Sequence, residues 1–338
     1  MGLFYVPIGL WIALLSLRFR GLTFLSVNPA MEMSGLYGEH KANSLLPLSG
    51  LEELAAFEVI EPAPLQDRVS AAAAIMQSLK LTFPVVLKPD QGQRGSDVAV
   101  IRSEMALQNY LSEQTGRVLL QQHINGEEFG VFYLRYPKES QGRIYSITHK
   151  TFPVVVGDGI SSLETLLAQH PRTHYLFDYL LALHAHQLDR VLAVGESFKV
   201  VEIGSHCRGS VFLNADHLIT AALVTTMDRV SQTKAGFYFG RYDVRVPSAS
   251  DLQKGQNIKV LEVNGVTSES TNIYDPSHSV LTAYRILFKQ WYHAFAIGQA
   301  NVEQGAARVS FWAFLRYVYQ KLSGSETGVT SKRFADPY

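Results

Sequence analysis

Alternating and helically spaced apolar residues divide this 338-residue chain into recognisable elements. An uncharged run, Leu3–Leu17, predicts a helix, and Leu22–Val27 a strand. Asp67 is an apt N-cap for a helix over Arg68–Lys80. Short buried strands follow at Phe83–Leu87 and Val98–Ile101, and two more flank a polar bend within Val118–Val131. Ile144–Lys150, Phe152–Val156 and Ser197–Ile203 read as strands, and Ser161–Gln169, Asp178–His186 and Ala215–Arg229 as helices. Two apolar stripes, Val280 to Phe295 and Phe311 to Leu322, predict closing helices punctuated by Gly298 and Gly305, with a disordered polar tail after Leu322.

The segment Gly240–Pro276 holds the most informative alternation. Arg241, Asp243 and Arg245 share one face of a strand, and Tyr242, Val244 and Val246 the other. In Ile258–Asn264, Glu262 and Asn264 share a face opposite Leu261 and Val263. A Pro/Ser/Gly-rich connection predicts an antiparallel pair joined by a loop. One face meets a core; the other presents Asp243, Glu262 and Asn264 beside two arginines. Such oxygens suit a hard cation such as Mg²⁺, although a solvated sheet face has the same pattern.

Length favours two or three lobes rather than one. Lys plus Arg equals Asp plus Glu at 30 each, so charge gives no support to a nucleic-acid partner. The single cysteine, Cys207, excludes an internal disulfide and a CxxC metal site, fits a reducing cytoplasm, and reads as a small buried residue. As a helix, residues 3–17 would be about 22 Å long, short of a hydrocarbon core of about 30 Å. Its charges, Arg18 and Arg20, follow the apolar run, unlike those of a signal peptide, and Val6 breaks the myristoylation pattern. Two readings stay open: a helix packed on the protein or on a second copy in a homodimer, and a shallow anchor on the inner face of a membrane.

Three further stretches carry candidate chemistry. Lys88-Pro89 ends a strand and leads into Asp90-Gln91-Gly92-Gln93-Arg94-Gly95-Ser96-Asp97, a loop whose backbone N–H groups could cover phosphates while the lysine meets their charge. An ordinary hairpin would look alike, and neither Walker A nor GxGxxG occurs. The bend Gln121-Gln122-His123-Ile124 could offer backbone groups to an adenine edge, and Glu128 could accept from ribose hydroxyls. His123 has no metal-ligand spacing. Lys41 lies in a helical stretch after Gly35 and Gly38.

In order, FPVVLKPDQGQRGSDV, LLQQHINGEEFGV, GRYDVRV and VLEVNGV resemble the motif series of ATP-grasp carboxylate–amine ligases, notably the D-alanine–D-alanine ligase group. VVGDGISSLETLL, VLAVGESFKVV and NADHL are more similar to the cyanophycin-synthetase branch. The resemblance spans about Lys41 to Pro276. It implies an α+β ATP-grasp fold, two α+β lobes clamping ATP, with a reduced N-terminal lobe and a C-terminal helical extension. The implied organisation is an apolar helix and reduced segment over 1–65, a lid lobe over 66–124, a metal and catalytic lobe over 125–276, and closing helices and tail over 277–338.

The resemblance also implies roles. Lys41 and Lys88 would contact the ATP phosphates under a lid of Gln91, Gly92, Arg94, Gly95 and Ser96. Gln121, Gln122, His123 and Ile124 would hold adenine, and Glu128 the ribose. Asp243, Glu262 and Asn264 would hold Mg²⁺ (or Mn²⁺), while Arg241, Lys150 and Arg208 serve the reacting groups. Gln121 departs from the carboxylate that many relatives carry there, and the short N-terminal lobe leaves the substrate open. The implied activity is amide formation through an acyl phosphate, from an amino-acid or small-peptide pair. Alternatives are phosphotransfer without an amine acceptor and a membrane-associated ATP-binding module.

Overall fold

The computed structural model describes residues 2–36, 40–92, 95–170, 176–202, 204 and 209–322. The expected tail after Leu322, and Cys207, lie outside them. The fold is α+β, built on two antiparallel sheets. The smaller has β1 (Phe57–Ile60), β2 (Val85–Pro89), β3 (Ala99–Ile101) and β4 (Val118–Gln122) in the order β1-β4-β2-β3. Helices α3 (Leu65–Ser78) and α4 (Glu104–Glu113) bring Ala72, Ile75, Leu107 and Leu111 into one core with Val118 and Leu120. Leu119, on the opposite face of β4, joins the core of the larger lobe, so both faces of that strand are buried. β1 falls within the segment expected to precede the lid lobe, yet it pairs with β4 from Phe57↔Gln121 to Ile60↔Val118.

The larger sheet contains β5 (Glu127–Leu134), β6 (Arg143–Thr151), β9 (Val211–Asn214), β10 (Phe239–Val246) and β11 (Lys259–Asn264), ordered β11-β10-β5-β6-β9. Alternation gives it two apolar faces. Phe129, Val131, Tyr133, Tyr242 and Val244 share a core with Leu223, Met227 and Val230 of α7 (Ala221–Thr233). Phe132, Leu134 and Phe239 share another with Ala294, Phe295 and Ile297 of α9 (Val280–Glu303). Between β6 and β9, the pair β7 (Val154–Val156) and β8 (Ser197–Lys199) joins α5 (Leu163–Gln169) and α6 (Phe177–Leu183) around Val155, Leu163, Leu167 and Leu180.

Several expected elements differ. Leu22–Val27 is a 3-10 turn over Thr23–Ser26, not a strand: it lies against α9, with the Thr23 hydroxyl donating to Phe295 O at 2.9 Å. Gly298 does not end α9. It lies inside the helix, where a Cβ would come within 1.9 Å of Thr23 O, so its missing side chain permits this close packing. Helix α3 begins at Leu65 after Pro64, leaving Asp67 in its first turn with no capping bond, so local chain geometry overrides the cap preference. Ala215–Arg229 resolves into a 3-10 turn, Asp216–Leu218, and α7, because the Thr220 side chain caps a new start by accepting from Leu223 N. The connection between β10 and β11 is not only loop. It contains α8 (Ala249–Lys254), capped by Ser248 and closed by Gly255.

The first helix, α1 (Gly2–Arg18), buries Ile8 and Leu15 against the α9 side of the molecule. Trp11 Nε1 donates to Phe288 O at 2.9 Å, and the Phe4 ring stacks on Tyr284. The remaining helices are α2 (Lys41–Leu45) and α10 (Phe311–Leu322). No described helix is long and apolar enough to cross a membrane.

Candidate active site

The two sheets are joined by His123–Gly126 and meet at β11. Gly126 has φ +117°, and a Cβ there would lie 2.0 Å from Val246 O; only glycine fits this crossing. At the meeting point Lys88 Nζ, from the small sheet, donates to Gln121 Oε1 at 2.9 Å and to Leu261 O of β11 at 3.0 Å. Gln121 Nε2 also donates to Leu261 O. The lysine is buried, and that desolvation lowers its pKa to about 8, against the opposing pull of Glu262.

On the large sheet the hairpin register explains why its carboxylates gather. Asp243 lies opposite Glu262 and Arg241 opposite Asn264, with a bulge after Asp243. Same-face partners in such pairs have Cβ atoms about 5 Å apart. Asp243 accepts from Arg241 Nε at 2.9 Å and from Lys150 Nζ at 3.0 Å. Lys150 also donates to Glu128 at 3.1 Å, and Arg245 clamps the other Glu128 oxygen through Nε and Nη2 at 3.1 and 3.0 Å. Burial alone would raise the Asp243 pKa, but Arg241 and Lys150 pull it below the ordinary carboxylate value. Burial would lower those of Lys150 and Arg241; the charge on Asp243 outweighs it and raises both. Five cations, Lys41, Lys88, Lys150, Arg241 and Arg245, therefore face four carboxylates, Glu128, Asp243, Glu262 and Glu269. The remaining positive charge favours an anionic ligand.

The metal candidates divide into two kinds. Both Asp243 oxygens are engaged by cations, whereas Asn264 has a buried Nδ2 with no hydrogen-bond partner. The amide can be turned to present either atom. Glu262 and Asn264 thus fit a hard cation directly, and Asp243 would join them only as Arg241 or Lys150 releases an oxygen. Among the described residues no cluster of three His, Cys, Asp or Glu exists that could hold a metal without such help.

The phosphate candidates meet through Asp90. Its carboxylate accepts from Ala42 N at 2.8 Å and pairs with His40 and Arg117 at 2.7 and 2.8 Å, tying the start of α2 to the lid. Lys41 Nζ then reaches Gly92 O at 2.7 Å, and Gln91 lies 3.0 Å from His40 Nε2. Gly95 and Ser96 form the turn returning to β3, with Val98 N donating to Gly95 O. Arg94 and Arg208 lie outside the described residues. Along the hinge, Gln122 N bonds Ala56 O, the Ile124 carbonyl accepts from Arg245 Nη1 at 2.7 Å, and burial lowers the pKa of His123. Structure therefore gathers Lys41, Lys88, Gln91, Gly92, Gln121, Glu128, Lys150, Arg241, Asp243, Glu262 and Asn264 around one interlobe region.

Several participants had no separate signal in the sequence. Arg245 stands in the same motif as Arg241, but its grip on Glu128 depends on strand pairing. Arg241 Nη1 also donates to Glu269 O, and the Glu269 carboxylate accepts from Tyr5 and Tyr274 hydroxyls at 3.2 and 3.0 Å. Tyr5 comes from α1, 264 residues away. Buried Gln290 of α9 fixes the loop before it, accepting from Ser270 N and donating to Ser268 O, both at 2.9 Å. A shallow concavity of about 460 Å³ on α7, lined by Thr225, Asp228, Arg229, Gln232 and Thr233, lies among other residues.

No family model and no curated protein matches the chain. Among solved structures it is similar to a bifunctional glutathione synthetase from Pasteurella multocida (14% identity, TM-score 0.37, 74% of this chain and 36% of that one). It is also similar to the VanG D-Ala:D-Ser ligase from Enterococcus faecalis (14%, 0.41, 77% and 64%). A third is a D-alanine–D-alanine ligase from Bacillus anthracis (14%, 0.44, 82% and 72%). The chain spans about a third of the first of these proteins and just under two thirds of the second.

Proposed function

We propose that the protein is an ATP-dependent carboxylate–amine ligase acting on an amino-acid or small-peptide pair and releasing ADP and phosphate. The observation that carries this reading is the cation-rich cluster of Lys88, Lys150 and Arg241 around Asp243 and Glu262, where the two sheets meet. Lys88 from the small sheet and Lys41 from α2 would face the triphosphate, and Gln91 to Ser96 would cover it. Gln121 to Ile124 would seat the adenine, with Glu128 toward the ribose once Lys150 turns to the phosphates.

Glu262 and Asn264, joined by Asp243, would hold Mg²⁺, which when bound neutralises charge on phosphate oxygens. A substrate carboxylate attacks the γ-phosphorus, the bond to the bridging oxygen of ADP breaks, and an acyl phosphate forms. The amine nitrogen then adds to its carbonyl; Arg241 stabilises the oxyanion, phosphate leaves, and the nitrogen loses a proton. Closure of the small sheet over the site excludes water from the acyl phosphate. Reaction with pairs of candidate acids and amines should release ADP and phosphate only when both are present. ADP release that never depends on an amine would overturn the ligase reading in favour of simple phosphotransfer.

A further inference from the structure

Helix α1 is apolar all round, a pattern expected of a helix covered on every side. One face is covered: Ile8, Leu15 and Trp11 pack toward α9. The opposite face carries Leu3, Val6, Leu10, Leu14 and Leu17, spaced as a single stripe, with Leu3 88%, Leu10 64% and Leu17 77% exposed. Helix α10 extends this uncovered region. Its Phe314 packs against the same cluster as Leu15, Arg308 ahead of it donates to Arg20 O at 3.0 Å, and Trp312 and Tyr319 stand 76% and 72% exposed.

The charge around these two helices selects the occupant. Residues 2–31 and 304–322 contain no Asp or Glu, whereas Arg18, Arg20, Arg308 and Arg316 are all exposed. In a two-fold interface between copies, these four arginines would meet arginines, with exposed Glu303, linked to Arg308 through Gln299, offsetting them only in part. An anionic lipid surface accepts leucines below its headgroups, Trp and Tyr at their level and arginines against their phosphates. We infer that α1 and α10 form a monotopic docking surface for an anionic bilayer, independently of the reaction catalysed. The helix lies in the membrane surface with its Leu3–Leu17 stripe immersed; it does not cross.

Co-sedimentation of the full chain with phosphatidylcholine vesicles, with and without a third phosphatidylglycerol, tests this. Binding should require phosphatidylglycerol and fall about tenfold or more when salt rises from about 0.1 to 0.5 M. Leu10→Glu/Leu14→Glu should abolish binding while the ATP-induced thermal shift persists. Arg18→Gln/Arg20→Gln, both at exposed positions and with the leucine stripe retained, should lose most of the salt-sensitive part. Absence of binding to anionic vesicles, equal binding to neutral ones, or binding unchanged in both variants would overturn the inference. So would light scattering that shows a dimer in lipid-free buffer which the leucine variant converts to monomers.

Discussion

Lys88 shows how one buried side chain links the two lobes to pH. Its pKa stands near 8 rather than 10.5 because burial penalises the ammonium. Between those values the unfolded chain holds more protons than the folded one, so this group makes stability rise with pH across about 8 to 10.5. Phosphate binding needs the opposite state. kcat/KM for ATP should therefore fall as pH rises through about 8, with a tenfold loss per unit beyond. Gln121, whose Oε1 accepts from Lys88, offers a way to move that limb: Gln121→Glu should place a carboxylate beside the ammonium and move the fall upward by roughly one unit or more. An unmoved limb in the variant would assign the titration elsewhere. Glu262 offers a second residue-level test. Glu262→Gln should reduce turnover by about a thousandfold or more, as loss of a charge-stabilising group does, with the melting temperature retained. Activity close to that of the parent would refute its role at the metal.

At the scale of elements, the β10–β11 hairpin was readable because alternation sets Arg241, Asp243, Glu262 and Asn264 on one face before any tertiary contact is known. The division of those carboxylates was not readable: Lys150 reaches Asp243 only because β6 pairs with β5 and β5 with β10. Leu22–Val27 misled for a related reason. Its apolar run fits a strand equally well, and only the smooth surface at Gly298 of α9 makes a 3-10 turn the better packing. The inner structure of the β10–β11 connection was hidden because α8 is six residues long, too short for a periodic signal. The crossing at Gly126 is where element geometry is least forgiving. Gly126→Ala meets both a positive φ and the Val246 carbonyl, and should cost about 2 kcal/mol. Thermal denaturation should then show a melting temperature lower by about 4–8 °C.

At the scale of the whole molecule, the site is assembled from segments far apart in the chain. The 268–270 loop is held by Gln290 of α9 through two hydrogen bonds, and α9 in turn carries α1, whose Tyr5 returns to Glu269 beside Arg241. This closed circuit ties α1 and α9 to the cluster around Arg241, a link that their apolar stripes by themselves do not reveal. Tyr5 therefore separates two roles. If the tyrosine pair orients Glu269 toward the acyl or amine substrate, Tyr5→Phe should raise KM for that substrate about tenfold, the worth of one hydrogen bond to a charged group. KM for ATP should stay unchanged, because the residues proposed for the nucleotide, Lys88 and Gln121 of the other sheet and Lys41 of α2, take no part in that circuit. Steady-state kinetics with each substrate varied in turn distinguishes this from mere loosening of α1, which would lower the melting temperature and leave both KM values alone.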